Sequence, residues 1–574
     1  MGKGPISEKR AVLLGVNSKI TQTNLALPYL KAAALSRAPG WEIEILEASI
    51  NQPYMEILSI LMDREWEVLG VSCYIWNIDL VRKLLQDLRA LKPDCTFVLG
   101  GHEVSHDPKT YLEEGLCDFV IVGEGEFKFS ALLNGLTQKG FDFKELDDTW
   151  FLNDNQVVPA TAGGDIDPLN SIPSPFELEE NWLQTKTFTY YESSRGCVYK
   201  CHFCLSALDR GSRFFSMDRF HSDMEKILSM DTIRQVKFVD RTFNLNEKRS
   251  NQIFEYLLEF GGGRNFHFEV QAELFKPSTL EILKRVPDGM FQFEVGIQST
   301  NQEVLNENGR ACRLEKLLQN LGFLKENTKV HLHLDLIAGL ANETPAQFQN
   351  SFNRLLEEKP NHLQIEVIKL LKGSIARNLA PLHRMKYQQS PPYTLLQSKD
   401  WDYKELNQVQ EVSALLEIYY NREKIKASVE TILAEFESPW DFFSDFSKFF
   451  FRRHPSRTGI SLQKAFEILY EFIKENDLLN QPFLEAFSLD YLKEFPFGGK
   501  LPFPKVSRTL SRQKYLEIAR EFNLNNKGFI EIFHKNSSPV PIYFPGKAKR
   551  TYQKLVELLN KMDYQKCLDL IQAT

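Results

Sequence analysis

Three cysteines stand close together in the segment Ser193-Ser-Arg-Gly-Cys197-Val-Tyr-Lys-Cys201-His-Phe-Cys204, spaced C-x3-C-x2-C. Thiolates are strong ligands for iron and zinc. Three of them can hold three irons of a cubane cluster, which leaves the fourth iron without a protein ligand. Ligation by four cysteines suits an electron carrier; an open iron can chelate a small molecule instead. Gly196 permits a tight turn behind the first ligand, and loop amides can donate to cluster sulfurs. A structural zinc site is the competing reading. It calls for four ligands, usually as two separated pairs, and His202 is too close in sequence to Cys201 to chelate well with it. Cys73, Cys95, Cys117, Cys312 and Cys567 are scattered and read as small buried hydrophobes.

Further polar residues sit where strand-like runs end. They are Asp240 in Phe238-Val-Asp-Arg-Thr-Phe243, Glu269 and Gln271 in Phe268-Glu-Val-Gln271, and Gln298 and Ser299 in Phe293-Glu-Val-Gly-Ile-Gln-Ser299. Asp335 lies in His333-Leu-Asp335-Leu-Ile-Ala-Gly339. A β/α barrel places its chemistry at the carboxyl ends of its strands. Each of these side chains also reads as an inward polar residue held by its neighbours.

The elements that must position them follow a βα rhythm. Strands are expected at 187–193, 235–239, 265–271, 290–297, 329–337 and 361–370, with helical patterns between. Six units are too few for a closed eightfold barrel, so residues 181–390 predict an open, partial (β/α)6 TIM-like barrel. Upstream, residues 1–142 alternate strand and helix signals and predict a doubly wound, Rossmann-like parallel sheet. Two strand ends there carry glycine turns, Gly100-Gly101-His102-Glu103 and Gly123-Glu124-Gly125-Glu126, at the end of the sheet where ligands bind. Residues 143–180 read as a connector with an edge hairpin and a proline- and serine-rich linker at 168–175. Residues 395–574 read as mainly helical, with one hairpin at 528–534 and 540–544. The phenylalanines of 440–453 read as helix core. Arg452, Arg453, Arg457, Lys547, Lys549 and Arg550 read as solvated surface, with an RNA- or phosphate-binding face as the alternative. The fold class is therefore α/β.

The 574 residues are 43% hydrophobic and 25% charged, a composition that suits several globular domains. A net charge of −7 argues against bulk binding to nucleic acid and leaves a local basic patch open. No apolar run is long enough to predict a membrane span, and the first residues lack a secretory pattern. The expected compartment is the cytoplasm.

The C-x3-C-x-aromatic-C signature, with Phe203 before the last cysteine, resembles that of the radical S-adenosylmethionine superfamily. With the strand-end residues above, the resemblance spans about 180 to 385. It implies a [4Fe-4S] cluster on Cys197, Cys201 and Cys204 whose open iron chelates S-adenosylmethionine. It also implies one-electron cleavage of the sulfur–C5′ bond to a 5′-deoxyadenosyl radical. Contacts to S-adenosylmethionine are implied for Phe203, Asp240, Glu269, Gln271, Gln298, Ser299 and Asp335. The first domain resembles the cobalamin-binding domain of one branch of that superfamily. It implies cobalamin contacts from Ser72, Tyr74, Gly100, Gly101, Glu103, Gly123, Glu124, Gly125 and Glu126. Many such domains carry an Asp-x-His-x-x-Gly loop whose histidine binds cobalt. Here the first strand is followed by Asn17-Ser-Lys-Ile-Thr21-Gln-Thr-Asn24, and His102 and His106 lie in the fourth turn. Ser72, Tyr74 and Trp76 are left as lower-face candidates. The last region resembles an uncharacterised domain of one subgroup. The function implied is methylation or rearrangement of an unactivated carbon in a small molecule, with electrons from a flavodoxin or ferredoxin. Alternatives are a radical enzyme without cobalamin, a methylthiotransferase, and a cobalamin or redox sensor with a structural cluster. A methylthiotransferase calls for a second set of three cysteines, and of the upstream cysteines only Cys73 is well placed. No residue of the chain is assigned to catalysis.

Overall fold

Strand β1 (Lys9–Asn17) shows how the first sheet is built. Val12, Leu14 and Val16 feed one apolar core, while Ala11 and Leu13 feed another. This is the two-residue period of a strand covered on both faces. The computed structural model describes residues 9–153, 156–161, 168–178, 182–208, 211–455, 459–495, 508–509, 516, 529–535 and 538–544. The chain divides into two compact units, Met1–Phe348 with Val367–Leu406, and Gln349–Glu366 with Asn407–Thr574.

The first unit holds two parallel sheets. Strands β1, β2 (Trp41–Ser49), β3 (Val68–Ser72), β4 (Thr96–Gly100) and β5 (Phe119–Ile121) run parallel in the order β2-β1-β3-β4-β5. The antiparallel pair β6 (Thr149–Asn153) and β7 (Gln156–Val158) extends the β5 edge. Helices α1 (Ala26–Arg37), α2 (Tyr54–Met62), α3 (Ile78–Leu91), α4 (His102–Ser105), α5 (Pro108–Glu113) and α6 (Glu126–Thr137) connect the strands. The winding reverses between β1 and β3, which opens a crevice at the carboxyl ends of those strands. This is the expected doubly wound α/β sheet.

The stretch at 168–175 is not a loose linker. Two 3-10 turns, Leu169–Ser171 and Pro175–Glu177, bury Leu169, Ile172 and Phe176. Tyr29, Leu169, Ile172 and Phe215 share one small core. Prolines and serines set the turns, but the apolar residues between them fix the segment in place.

The second sheet has the order β8 (Phe188–Tyr191), β11 (Gln235–Phe238), β12 (Asn265–Glu269), β13 (Phe291–Gln298) and β14 (His331–Ala338). A short ladder of β9 (Ser194–Arg195) and β10 (Arg213–Phe214) ties off the cysteine loop between them. The sixth expected strand forms as β15 (His362–Val367), and just past it the Ile368 amide donates to the Ala338 carbonyl at 2.9 Å. Helices α7 (Met217–Leu228), α8 (Glu247–Phe260), α9 (Pro277–Leu283), α10 (Gln302–Glu307), α11 (Leu314–Asn327) and α12 (Pro345–Glu357) alternate with the strands. In β13, Phe291, Phe293, Val295 and Ile297 are buried while Gln292, Glu294, Gly296 and Gln298 alternate with them on the less buried face. In β14, His331, His333 and Asp335 do the same. The apolar faces build a phenylalanine layer, with Phe268 packed 4.6 Å from Phe238 and 5.3 Å from Phe254 of α8. The polar faces are left to line the inside of an open barrel.

Past the barrel come α13 (Ile375–Leu379), the small ladder β16 (Lys386–Tyr387) with β17 (Leu395–Gln397), and α14 (Tyr403–Leu416). The second unit adds α15 (Lys426–Ile432), α16 (Pro439–Arg453), α17 (Leu462–Glu475) and α18 (Gln481–Glu494). Helix α16 buries Phe442, Phe443, Phe446, Phe449 and Phe450. The strands β18 (Arg508–Thr509), β19 (Phe529–Lys535) and β20 (Ser538–Phe544) form an antiparallel sheet that contains the expected hairpin. Arg457, Lys547, Lys549, Arg550 and Cys567 lie outside the described residues. Among the described residues, no helix is long and apolar enough to cross a membrane.

Candidate functional site

The cysteine loop leaves β9 through Gly196, whose φ of +84° makes the turn that Cys197 needs. Cys197 and Cys201 are buried and Cys204 is half-buried. All three line one cavity of about 160 Å³ at the carboxyl end of the barrel. Three thiols lining one cavity are a donor set that fits an iron–sulfur cluster. Thr242 Oγ1 lies 3.8 Å from Cys197 Sγ, and Arg310 donates to Cys201 Sγ at 3.8 Å. Burial pushes the Cys201 thiol up, and the Arg310 guanidinium pulls it back.

Asp240 sits behind the loop rather than in the cavity. Its carboxylate accepts from the Ser193 amide at 3.0 Å, the Ser193 hydroxyl at 2.6 Å and the Ser194 hydroxyl at 2.5 Å. It therefore fixes the strand that delivers the cysteines. Ser299 is likewise fully buried and donates to Glu343 at 2.7 Å. Neither Asp240 nor Ser299 lines the cavity.

Phe203, Glu269, Gln271, Gln298 and Asp335 do line it, together with Tyr199, Arg241, Thr242, Glu294 and Arg310. Gln298 closes β13 with φ +73° at a register shift, and its buried Oε1 has no hydrogen-bond partner. A strained residue with an open acceptor suits a ligand-facing position. Burial pushes Glu269 up to about 7 against the pull of Arg241, 4.0 Å away. Burial also acts to raise Glu294, but the His267 hydrogen bond and Lys237 outweigh it and hold the carboxyl at about 2. His333 stands 3.2 Å from Asp335. Arg310 also donates to the Gly296 carbonyl and to Gln271 Oε1 at 3.0 Å.

A second cavity of about 460 Å³ opens at the β1/β3 reversal. Its floor is apolar, from Leu13, Leu27, Leu30, Val98 and Phe129. Its rim contains Ser72, Tyr74, Gly100, Gly101, Gly123, Glu124, Gly125 and Glu126. At Gly101, φ is +105° and an added Cβ would lie 2.5 Å from the Cys73 carbonyl oxygen, so the rim admits only glycine there. A deep apolar slot with a glycine rim fits the tail of a corrinoid. Glu103 points elsewhere. It accepts from the Tyr393 hydroxyl and stands 3.3 Å from Lys372 Nζ. Trp76 stacks on Tyr74 with ring centroids 4.4 Å apart, and burial pushes His102 down to about 4. Cys73 and Cys117 are buried in the apolar core, away from any cluster position.

The far wall of this cavity is the cysteine loop itself, through Ser194, Arg195 and Gly196. Arg195 donates to Glu124 at 3.2 Å, to Glu126 at 2.5 Å and to both oxygens of Glu192 at 3.0 Å. Arg213 also pairs with Glu124. Sequence reasoning did not single out Arg195, Arg213, Thr242 or Arg310. Only the sequence neighbourhood of Arg195, two residues before a ligand cysteine, hinted at a role.

Family models match three stretches of the chain. Residues 12–133 match the B12 binding domain, 191–355 the Radical SAM superfamily, and 382–538 a protein family of unknown function, DUF4080. The cobalamin-dependent radical SAM methyltransferase TokK of Streptomyces tokunonensis is 26% identical over 53% of this chain and 47% of its own. The hopanoid C-3 methylase of Methylococcus capsulatus is 25% identical over 54% of this chain and 60% of its own. The chain spans about half the length of the curated relatives it matches. The cobalamin-dependent S-adenosylmethionine radical enzyme OxsB, solved with aqua-cobalamin and S-adenosylmethionine, shares the fold with a TM-score of 0.58 at 15% identity, over 86% of this chain and 80% of that one. The radical S-adenosylmethionine methyltransferase TsrM from Kitasatospora setae gives 0.56 at 14% identity, over 67% and 79%.

Proposed function

We infer that the chain, whose residues 191–355 match the Radical SAM superfamily and 12–133 the B12 binding domain, is a cobalamin-dependent radical enzyme that methylates an unactivated carbon of a small molecule. Its cofactors are a [4Fe-4S] cluster, S-adenosylmethionine and cobalamin. When bound, they supply a carbon radical, by one-electron cleavage of S-adenosylmethionine, and a transferable methyl group.

Cys197, Cys201 and Cys204 hold the cluster, with Arg310 and Thr242 beside two of the sulfurs. Phe203, Glu269, Gln271, Gln298 and Asp335 form the walls for S-adenosylmethionine. Ser72, Tyr74 and the two glycine turns receive the corrinoid. Asp240, Ser299 and Glu103 act at one remove by holding the loops and helices that bear these walls. A small carrier such as a flavodoxin or ferredoxin delivers the electron.

The observation that supports this reading is the shared loop. One segment presents its cysteines to the barrel cavity and its Ser194–Arg195 side to the cavity of the first sheet. Two cofactors seated there would face a common space. Anaerobic reconstitution tests it. The protein should take up a corrinoid, show its absorbance, and form 5′-deoxyadenosine from S-adenosylmethionine and dithionite. Cys201→Ala should abolish that product. Cluster-loaded protein that forms none would overturn the enzyme reading, and iron–sulfur absorbance without a corrin band would remove cobalamin from it.

A further inference from the structure

Past β15 the chain makes a strap, residues 368–397, that touches both the cysteine loop and the first sheet domain. Its ends are tied to each other. The Leu370 amide donates to the Tyr393 carbonyl at 2.9 Å, and the Leu395 amide to the Ile368 carbonyl at 3.0 Å. On one side the Ala376 amide, in α13, donates to the His202 carbonyl at 2.8 Å, and His202 directly follows Cys201. On the other side Lys372 Nζ donates to Asp107 at 3.2 Å and to the Tyr111 hydroxyl at 3.1 Å, and it stands 3.3 Å from Glu103. The Tyr393 hydroxyl donates to Glu103 as well. Gly373 completes the contact, with φ +83° and an added Cβ only 2.3 Å from the His106 ring.

Glu103, His106 and Asp107 belong to α4 and the turn after it, which follow the Gly100-Gly101 rim of the first-sheet cavity. Gly101, His102, Ser105 and His106 line that cavity, whereas Lys372 lines neither cavity. A four-residue helix makes too few internal hydrogen bonds to hold its own form, so tertiary contacts such as the strap's have to place it. The hold is dry. The Lys372 side chain is 16% exposed and that of Glu103 4%, and an ion pair out of water leaves a costly charge behind when one partner is removed. Lys372 and Ala376 stand on the same short, tied segment. A shift of the α4 rim therefore reaches the cysteine loop through a few bonds.

Resting on the functional reading above, we propose that Lys372 is a positioning residue that couples the two cofactor sites. Through the strap it sets the corrinoid rim and the cysteine loop together, so that S-adenosylmethionine seated at the cluster tightens corrinoid binding. The coupling is reciprocal, because order that the first ligand brings about is not required again of the second. Lys372 acts through α4.

The test is anaerobic titration of the cluster-loaded protein with hydroxocobalamin, with and without S-adenosylmethionine, reading the cobalt that the protein retains on ultrafiltration. In the parent, S-adenosylmethionine should tighten corrinoid binding by about fivefold or more. Lys372→Met should weaken corrinoid binding and bring that ratio close to one. Lys372→Arg should restore most of the ratio, since a guanidinium can also answer both carboxylates. Should Lys372→Met not fold, Tyr393→Phe, which removes only the hydroxyl on Glu103, should lower the ratio instead. The proposal is overturned if the parent ratio is one, or if Lys372→Met, or Tyr393→Phe in its place, keeps the parent ratio. Weaker binding at an unchanged ratio would make Lys372 a structural prop and no more. A parent that takes up no corrinoid overturns the functional reading and the proposal with it, whereas corrinoid uptake at an unchanged ratio overturns the proposal alone.

Discussion

Asp240 and Glu343 serve the centre without lining it. Asp240 gathers three donors from the strand that delivers the cysteines. Glu343 accepts from Ser299 and has one buried oxygen, Oε2, without a partner. Burial lifts the Glu343 carboxyl to about 8, and the Ser299 hydrogen bond offsets this only in part. The folded chain therefore keeps a proton there that the unfolded chain gives up above about pH 4.3. The stability this group contributes is complete below that pH and is lost as pH rises toward 8, at up to about 1.4 kcal/mol per unit. Urea midpoints at pH 5 and pH 8 should fall more steeply for the parent than for Glu343→Gln, which has no proton to lose. Equal slopes would mean that the carboxyl is ionised in the fold.

At the scale of elements, period and pattern decide what the sequence reveals. In β13 and β14 the strict alternation of apolar and polar residues marks both the strand and the face that lines the barrel. Glu269, Gln271, Gln298 and Asp335 were picked out because they stand where strand-like runs end, and Asp240 and Ser299 were picked out with them. Strand-end position does not tell which polar side chain turns to the cavity and which turns to a buried neighbour. Arg310 shows the other limit. It reaches Cys201 across 109 residues of chain, a partnership that no local pattern carries. Short elements such as α4 and α13 were invisible because they span about one turn each. Helix α16 was legible, because Phe442, Phe446 and Phe449 recur at helical spacing. Phe446 packs 4.9 Å from Tyr419 and 4.9 Å from Phe472 and is fully buried. Phe446→Ala should cost about 4 kcal/mol by denaturant unfolding, whereas a cost below about 1 kcal/mol would show that the helix is not packed on that face.

At the scale of the whole first unit, the question is what keeps two separate sheets in register. Each has its own core, so each could in principle fold around it. The join is ionic. Arg195, with its side chain 12% exposed, is held between Glu192 of the barrel and Glu124 and Glu126 of the glycine turn after β5. Removing a buried partner costs more than the pair is worth, because the remaining charges stay buried without it. Arg195→Leu should therefore destabilise the chain by about 3–5 kcal/mol. It should also lower corrinoid uptake and iron content together, since one guanidinium steadies the glycine turn and the cysteine loop at once. Arg213, 29% exposed, pairs with Glu124, and Arg213→Ala should cost about 1 kcal/mol or less. Denaturant curves with cobalt and iron analysis on the same samples decide the matter. If Arg195→Leu loses corrinoid but keeps its iron, the salt bridges steady the first sheet alone, and the two sheets are held in register by their apolar contacts.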